Sequence, residues 1–238
     1  MGVAAGVLAT ALAAALVLVQ PVLGRRRYQR LLRTLEADRS ARIRHYRRGI
    51  AGEWTAVGIV GVIGLLADRA PASAGLTGRG LGGAAEEVAE VALALAVTVV
   101  IFRFGGEALK EALRRQARGF VALLPTTQDE RLTFAALAVT AGVCEEILFR
   151  GFGISYVRWL WPAASHAALV AATSVPFGLA HLYQGARGVV LTGIVGALLA
   201  SLTLSTGTLV PAIVVHALLD LRVLALPDLS TRPPERAV

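Results

Sequence analysis

Charge is scarce in this sequence, and cysteine and lysine are nearly absent. Only 17% of the 238 residues are Asp, Glu, Lys or Arg, against 55% hydrophobic residues, and the mean hydropathy is +0.64. A soluble domain carries charge on about a quarter of its residues, so this composition excludes one and implies an integral membrane protein. The one cysteine, Cys144, excludes an intramolecular disulfide and a thiolate metal cluster. Its place beside Glu145 in an apolar run fits inert packing, because a neighbouring carboxylate disfavours the thiolate a nucleophile needs. Lys110 is the lone lysine among 24 basic residues, a bias of usage with no mechanism attached.

The charges that exist leave long gaps: none precedes Arg25, none lies between Arg158 and Arg187, and none between Arg187 and Asp220. A hydrocarbon core about 30 Å thick takes about 20 apolar residues per helix, so each gap has room for a crossing. The expected fold is an all-α polytopic transmembrane bundle of about seven spans, with six and eight as bounds. The spans are Val3 to Leu23, Ile50 to Ala67, Glu86 to Phe104, Leu132 to Trp159, Ala164 to Tyr183, Val189 to Ser205 and Leu209 to Leu226. The second is short and contains Glu53. The first has no basic residue before its apolar run and a basic cluster after it, the order of a retained helix and not of a cleaved signal.

Ten arginines against Glu36 and Asp38 lie between Arg25 and Arg48, a surplus equal to the whole formal charge of +8. By the positive-inside rule this segment is cytoplasmic and the N-terminus outside, with Arg187 and the C-terminal tail cytoplasmic as well. Such a juxtamembrane cluster sets topology and contacts anionic lipid headgroups, and no nucleic-acid partner is expected. Residues 1–49 read as an N-terminal helix and basic loop, 50–226 as the bundle and 227–238 as a disordered tail, in one domain. The alternation of charged and apolar residues from Glu107 to Leu124 predicts an amphipathic helix in the cytoplasmic interface.

Within this apolar background, Val143-Cys144-Glu145-Glu146-Ile147-Leu148-Phe149-Arg150 places three charges in one span. Ionisable groups are costly there unless they are paired or used. On a helix Glu146 and Arg150 are four apart and share a face, which predicts an intramembrane ion pair. Glu145 is turned away by about a quarter turn and has no local cation, which makes it the candidate general base toward water. Phe177 and His181 share a second helical face, and His216 and Asp220 a third. His166, at a helix end, reads as packing, and His45, in the basic segment, as solvated.

The ordered motifs EExxxR (Glu145, Glu146, Arg150), FxxxH (Phe177, His181) and HxxxD (His216, Asp220) resemble the CPBP or Abi group of intramembrane proteases. That group is related to the CAAX prenyl endopeptidase Rce, and the resemblance covers roughly residues 130 to 225. It implies a glutamic-type peptidase acting on a membrane-associated, possibly CaaX-prenylated, protein in a prokaryotic cell membrane. Positions matching Glu145 and His181 would activate water, and those matching His216 and Asp220 would stabilise the oxyanion. The best-characterised relatives have asparagine at the last position. An ionised Asp220 cannot donate to an oxyanion, so it is expected either to be protonated or, the reading preferred, to orient His216 as a cation. Phe177 reads as a wall that positions His181 or the substrate backbone, with plain packing as the competing reading.

HExxH, GxSG and GxGD are absent, which disfavours the zinc, serine and aspartyl classes of intramembrane protease. No cofactor is expected. In the minor alternative, Glu145, His181 and His216 supply three ligands to zinc. Two further classes use the same residues differently. A transporter or proton relay would line a pathway with them, although no internal repeat is present. A non-catalytic immunity or scaffold protein would not need Glu145, His181 and His216 all intact.

Overall fold

The computed structural model describes residues 1–38, 40–67 and 119–225, with a few single positions between 86 and 106. The third expected span, most of the Glu107 to Leu124 segment and the tail after 226 lie outside the described residues.

Among the described residues the protein is helical and has no strand. Six helices are apolar: α1 (Val3–Thr34), α2 (Ala41–Leu66), α3 (Gln128–Leu160), α4 (His166–Ala180), α5 (Gly185–Thr206) and α6 (Val210–Leu221). Four of the helical stretches, α1, α2, α3 and Leu182–Thr206 (which contains α5), are long and apolar enough to cross a membrane. The protein is an integral membrane protein. Leu18, Leu65, Val175 and Leu198 are exposed, as side chains in contact with lipid are.

Hydropathy located the helices but not their ends. The basic segment expected as a loop is helical: α1 runs through Arg25, Arg30 and Arg33, and α2 begins at Ala41. Long arginine stems can lie along a helix while their guanidinium heads reach water, so the helix need not stop where the charge begins. Turn residues at 35–37 and 40 lie between the two. There Asp38 accepts hydrogen bonds from Ser40 and Arg44, which together hold its carboxyl below the usual carboxylate range, Arg44 contributing most.

Local chemistry fixes the helix ends that orient the site. The Thr127 hydroxyl accepts from the Glu130 N–H at 3.2 Å, and the Glu130 carboxylate accepts from the Thr127 N–H at 3.3 Å, a capping box that starts α3. Arg42 of α2 donates to the same carboxylate at 2.8 and 2.9 Å, and the Tyr46 hydroxyl donates to the Leu123 carbonyl at 2.7 Å. These contacts dock the start of α2 against the start of α3. Ser165 caps α4, and α5 ends at Gly207, whose φ of 73° is the left-handed form that glycine takes without penalty.

Two close helix approaches complete the frame. A Cβ on Gly142 would stand 2.8 Å from the backbone nitrogen of Ala217, so glycine lets α3 and α6 touch. A Cβ on Gly178 would stand 2.7 Å from the Val189 carbonyl, and glycine there does the same for α4 and α5. Small residues at such crossings are how helices pack where lipid removes the hydrophobic drive. The first crossing brings His216, one residue before Ala217, against the glutamates of α3.

Candidate active site

The centre of α3 is not a regular α-helix. Residues Glu146–Phe152 form a π segment, entered directly from Glu145. Such widenings add a residue to a turn and concentrate at functional sites. All seven of its residues are buried.

Glu146 and Arg150 form the expected pair, with Nη1 donating to Oε1 at 2.8 Å and both side chains fully covered. Arg150 Nη2 donates to the Gly196 carbonyl of α5 at 2.9 Å, and the guanidinium lies 4.3 Å above the Phe177 ring. One arginine therefore ties α3 to α4 and α5 through an ion pair, a backbone bond and a cation–π contact. Gly196 is needed for this arrangement, because a Cβ there would come within 2.9 Å of Phe177 and 3.2 Å of Arg150 Nη2.

His216 joins the same cluster. Its Nδ1 lies 2.8 Å from Glu146 Oε1, so a proton on Nδ1 is donated to the carboxylate. Its Nε2 stands 3.8 Å from Glu145 Oε2 and 3.8 Å from Asp220 Oδ2. The sequence reading has Asp220 orienting His216, but Glu146 is nearer by a full ångström. The difference arises because the four-residue spacing on α6 was visible in the sequence, whereas the docking of α6 on α3 was not. Asp220 is the most open of the three acids, with its side chain 42% exposed.

Glu145 is differently placed from its neighbour. Its side chain is 20% exposed, and its Oε2 is covered yet has no hydrogen-bond partner. It lines a cavity of about 870 Å³ that also takes in Glu53, His181 and Tyr183 and extends to Arg30 and Arg33. His181, the residue that closes α4, holds its Nδ1 2.8 Å from the Phe177 carbonyl. A carbonyl only accepts, so Nδ1 carries the proton and a neutral ring keeps Nε2 as an acceptor. Glu145 and His181 thus converge on one cavity.

Phe177 stands among these groups. Its ring lies 5.0 Å from His181, 5.6 Å from His216 and 5.2 Å from Phe149, the last two edge-on. A wall between the two histidines describes it, beneath the arginine. Cys144 is buried and free, and His166 is the first residue of α4, away from the cluster.

Sequence reasoning passed over Glu53. It sits on α2 and lines the same cavity as Glu145, and its Oε2 is covered without a hydrogen-bond partner. The available signal was a lone carboxylate in a span short of other charge. Among the described residues no three His, Cys, Asp or Glu side chains are grouped to hold a metal ion.

A polytopic helical membrane protein with an acid, two histidines and an arginine clustered inside the bundle defines a class in which buried charge is arranged for chemistry. Residues 127–222 match the family described as Type II CAAX prenyl endopeptidase Rce1-like. All seven motif residues fall inside the matched segment. No curated protein and no solved structure matches the chain.

Proposed function

We propose that the protein is an intramembrane endopeptidase that hydrolyses a peptide bond in a membrane-associated substrate, CaaX-like prenylated ends included, with water as the nucleophile. The observation that carries this reading is the division between the adjacent glutamates. Glu146 is fully covered and bonded through Oε1 to both Arg150 and His216, whereas Glu145 has no such pair of partners and lines a cavity together with His181.

In this reading Glu145 takes a proton from a water in the cavity, and His181 Nε2 accepts that water's other hydrogen bond. The resulting hydroxide adds to the scissile carbonyl carbon. His216, held through Nδ1 by Glu146, donates from Nε2 to the oxyanion, a role that requires the doubly protonated ring and is counterbalanced by the surrounding carboxyl groups. Collapse breaks the C–N bond, and the proton held by Glu145 passes to the leaving amine. Arg150 and Phe177 keep the cluster in register.

In this reading the arginines of α1 and α2, some of which line the cavity, face the cytoplasm by charge bias and meet anionic lipid headgroups. In this reading the mechanism is metal-free. Purified protein incubated with membrane-anchored and prenylated peptides, with and without a chelator, tests the proposal. Cleavage at equal rates in both arms is expected. Chelator-sensitive cleavage contradicts the metal-free route, and no cleavage by folded, monodisperse protein overturns the peptidase reading.

A further inference from the structure

We infer that Glu53 of α2 is the second carboxyl group of the site, sharing one proton with Glu145 and so positioning it. This rests on the peptidase reading above and deepens it. Glu53 and Glu145 lie 92 positions apart in sequence on different helices, yet both line the same cavity of about 870 Å³. Each presents a covered Oε2 that has no hydrogen-bond partner. Glu145, Asp220 and His216 are close enough for their charges to act on Glu53. Arg150, buried on the same helix as Glu145, is already committed to Glu146 and to the Gly196 carbonyl.

Two carboxyl groups with covered oxygens in one cavity cannot both be ionised cheaply, because their charges repel and neither is fully hydrated. One proton between them removes the repulsion, and the pair then titrates as a unit. The protonated member donates an O–H to the ionised one. That donation satisfies the two orphaned oxygens and leaves one carboxylate, Glu145, as the base. Glu53 neither gains nor loses a proton over the cycle; the proton taken from water rides on Glu145 and leaves with the amine.

Packing alone would make Glu53 replaceable by any side chain of similar size, whereas proton sharing demands a hydrogen-bond donor. Glu53→Leu is expected to lower kcat by roughly a hundredfold, the usual scale of an acid–base contribution, and to leave KM within about threefold. Glu53→Gln keeps a donor and is expected to stay within about tenfold of the parent kcat. Unchanged kcat in Glu53→Leu, or equal losses in both variants, overturns the inference.

A second readout is independent of turnover. Infrared difference spectra in ester-free detergent at neutral pH should show a protonated-carboxyl C=O stretch in the parent that Glu53→Gln abolishes. A band that survives unchanged overturns the inference, whether or not the leucine variant folds. If the parent cleaves, Glu145→Gln does not and Glu53→Leu keeps full kcat, the inference fails while the peptidase reading stands. If the parent cuts nothing, the peptidase reading fails and the infrared band still decides whether the two acids share a proton.

Discussion

Glu145→Gln is expected to reduce kcat/KM for a membrane-anchored peptide by about a thousandfold or more while leaving the melting temperature in detergent near that of the parent. Glutamine has the shape of glutamate but cannot take a proton from water, so the loss measures general-base catalysis, whose usual range is about 10² to 10⁴. The stability half of the expectation comes from the geometry. Glu145 meets the basic His216 Nε2 only at 3.8 Å, and a glutamine oxygen can still accept a hydrogen bond from Glu53, so little structure depends on its charge. Residual activity within tenfold of the parent would remove Glu145 from the base role. Glu146→Gln should behave in the opposite sense, since that carboxylate holds both Arg150 and His216 at 2.8 Å and its loss disturbs the cluster before any chemistry begins.

Arg150→Met is expected to be the most damaging single change to stability, costing about 3–5 kcal/mol, the usual result of removing one partner from a buried ion pair. Glu146 would keep only His216 as a partner in a pocket with no exposed surface, and the Gly196 carbonyl and Phe177 ring would lose their contacts with the guanidinium. Lysine should not substitute. A single ammonium cannot reach the carboxylate and the carbonyl through separate nitrogens while lying flat on the ring. Pairing Arg150→Met with Glu146→Gln removes the stranded charge, and the double variant should regain a large part of the lost stability. Thermal unfolding in detergent reads all three. A single variant as stable as the parent, or a double variant no better than Arg150→Met, contradicts this account of the pair.

The parts of this molecule that were legible in its sequence are those governed by short-range periodicity. Four-residue spacing was enough to place Glu146 against Arg150, and the charge gaps were enough to find α1, α2, α3 and the helices that carry His181 and His216. What was not legible depends on how helices dock. Nothing near Glu53 points to Glu145, because their proximity follows from the way α2 packs on α3, fixed by the Arg42–Glu130 pair and Tyr46 far from either acid. The preference of His216 for Glu146 over Asp220 has the same origin in the Gly142–Ala217 crossing. The π segment at Glu146–Phe152 has no compositional sign, and the continuation of α1 and α2 through their arginines defeats hydropathy because snorkelling side chains let a helix outlast its apolar core.

The division of labour between the adjacent glutamates can be read directly by reacting the protein in liposomes with a membrane-permeable carbodiimide and following carboxyl adducts by mass spectrometry alongside peptide cleavage. Glu145 should acquire the adduct in step with loss of cleavage, since it faces the cavity, while Glu146, fully covered and paired, should stay unmodified. Modification of Glu146 at a comparable rate, or cleavage that persists with Glu145 fully modified, would contradict it.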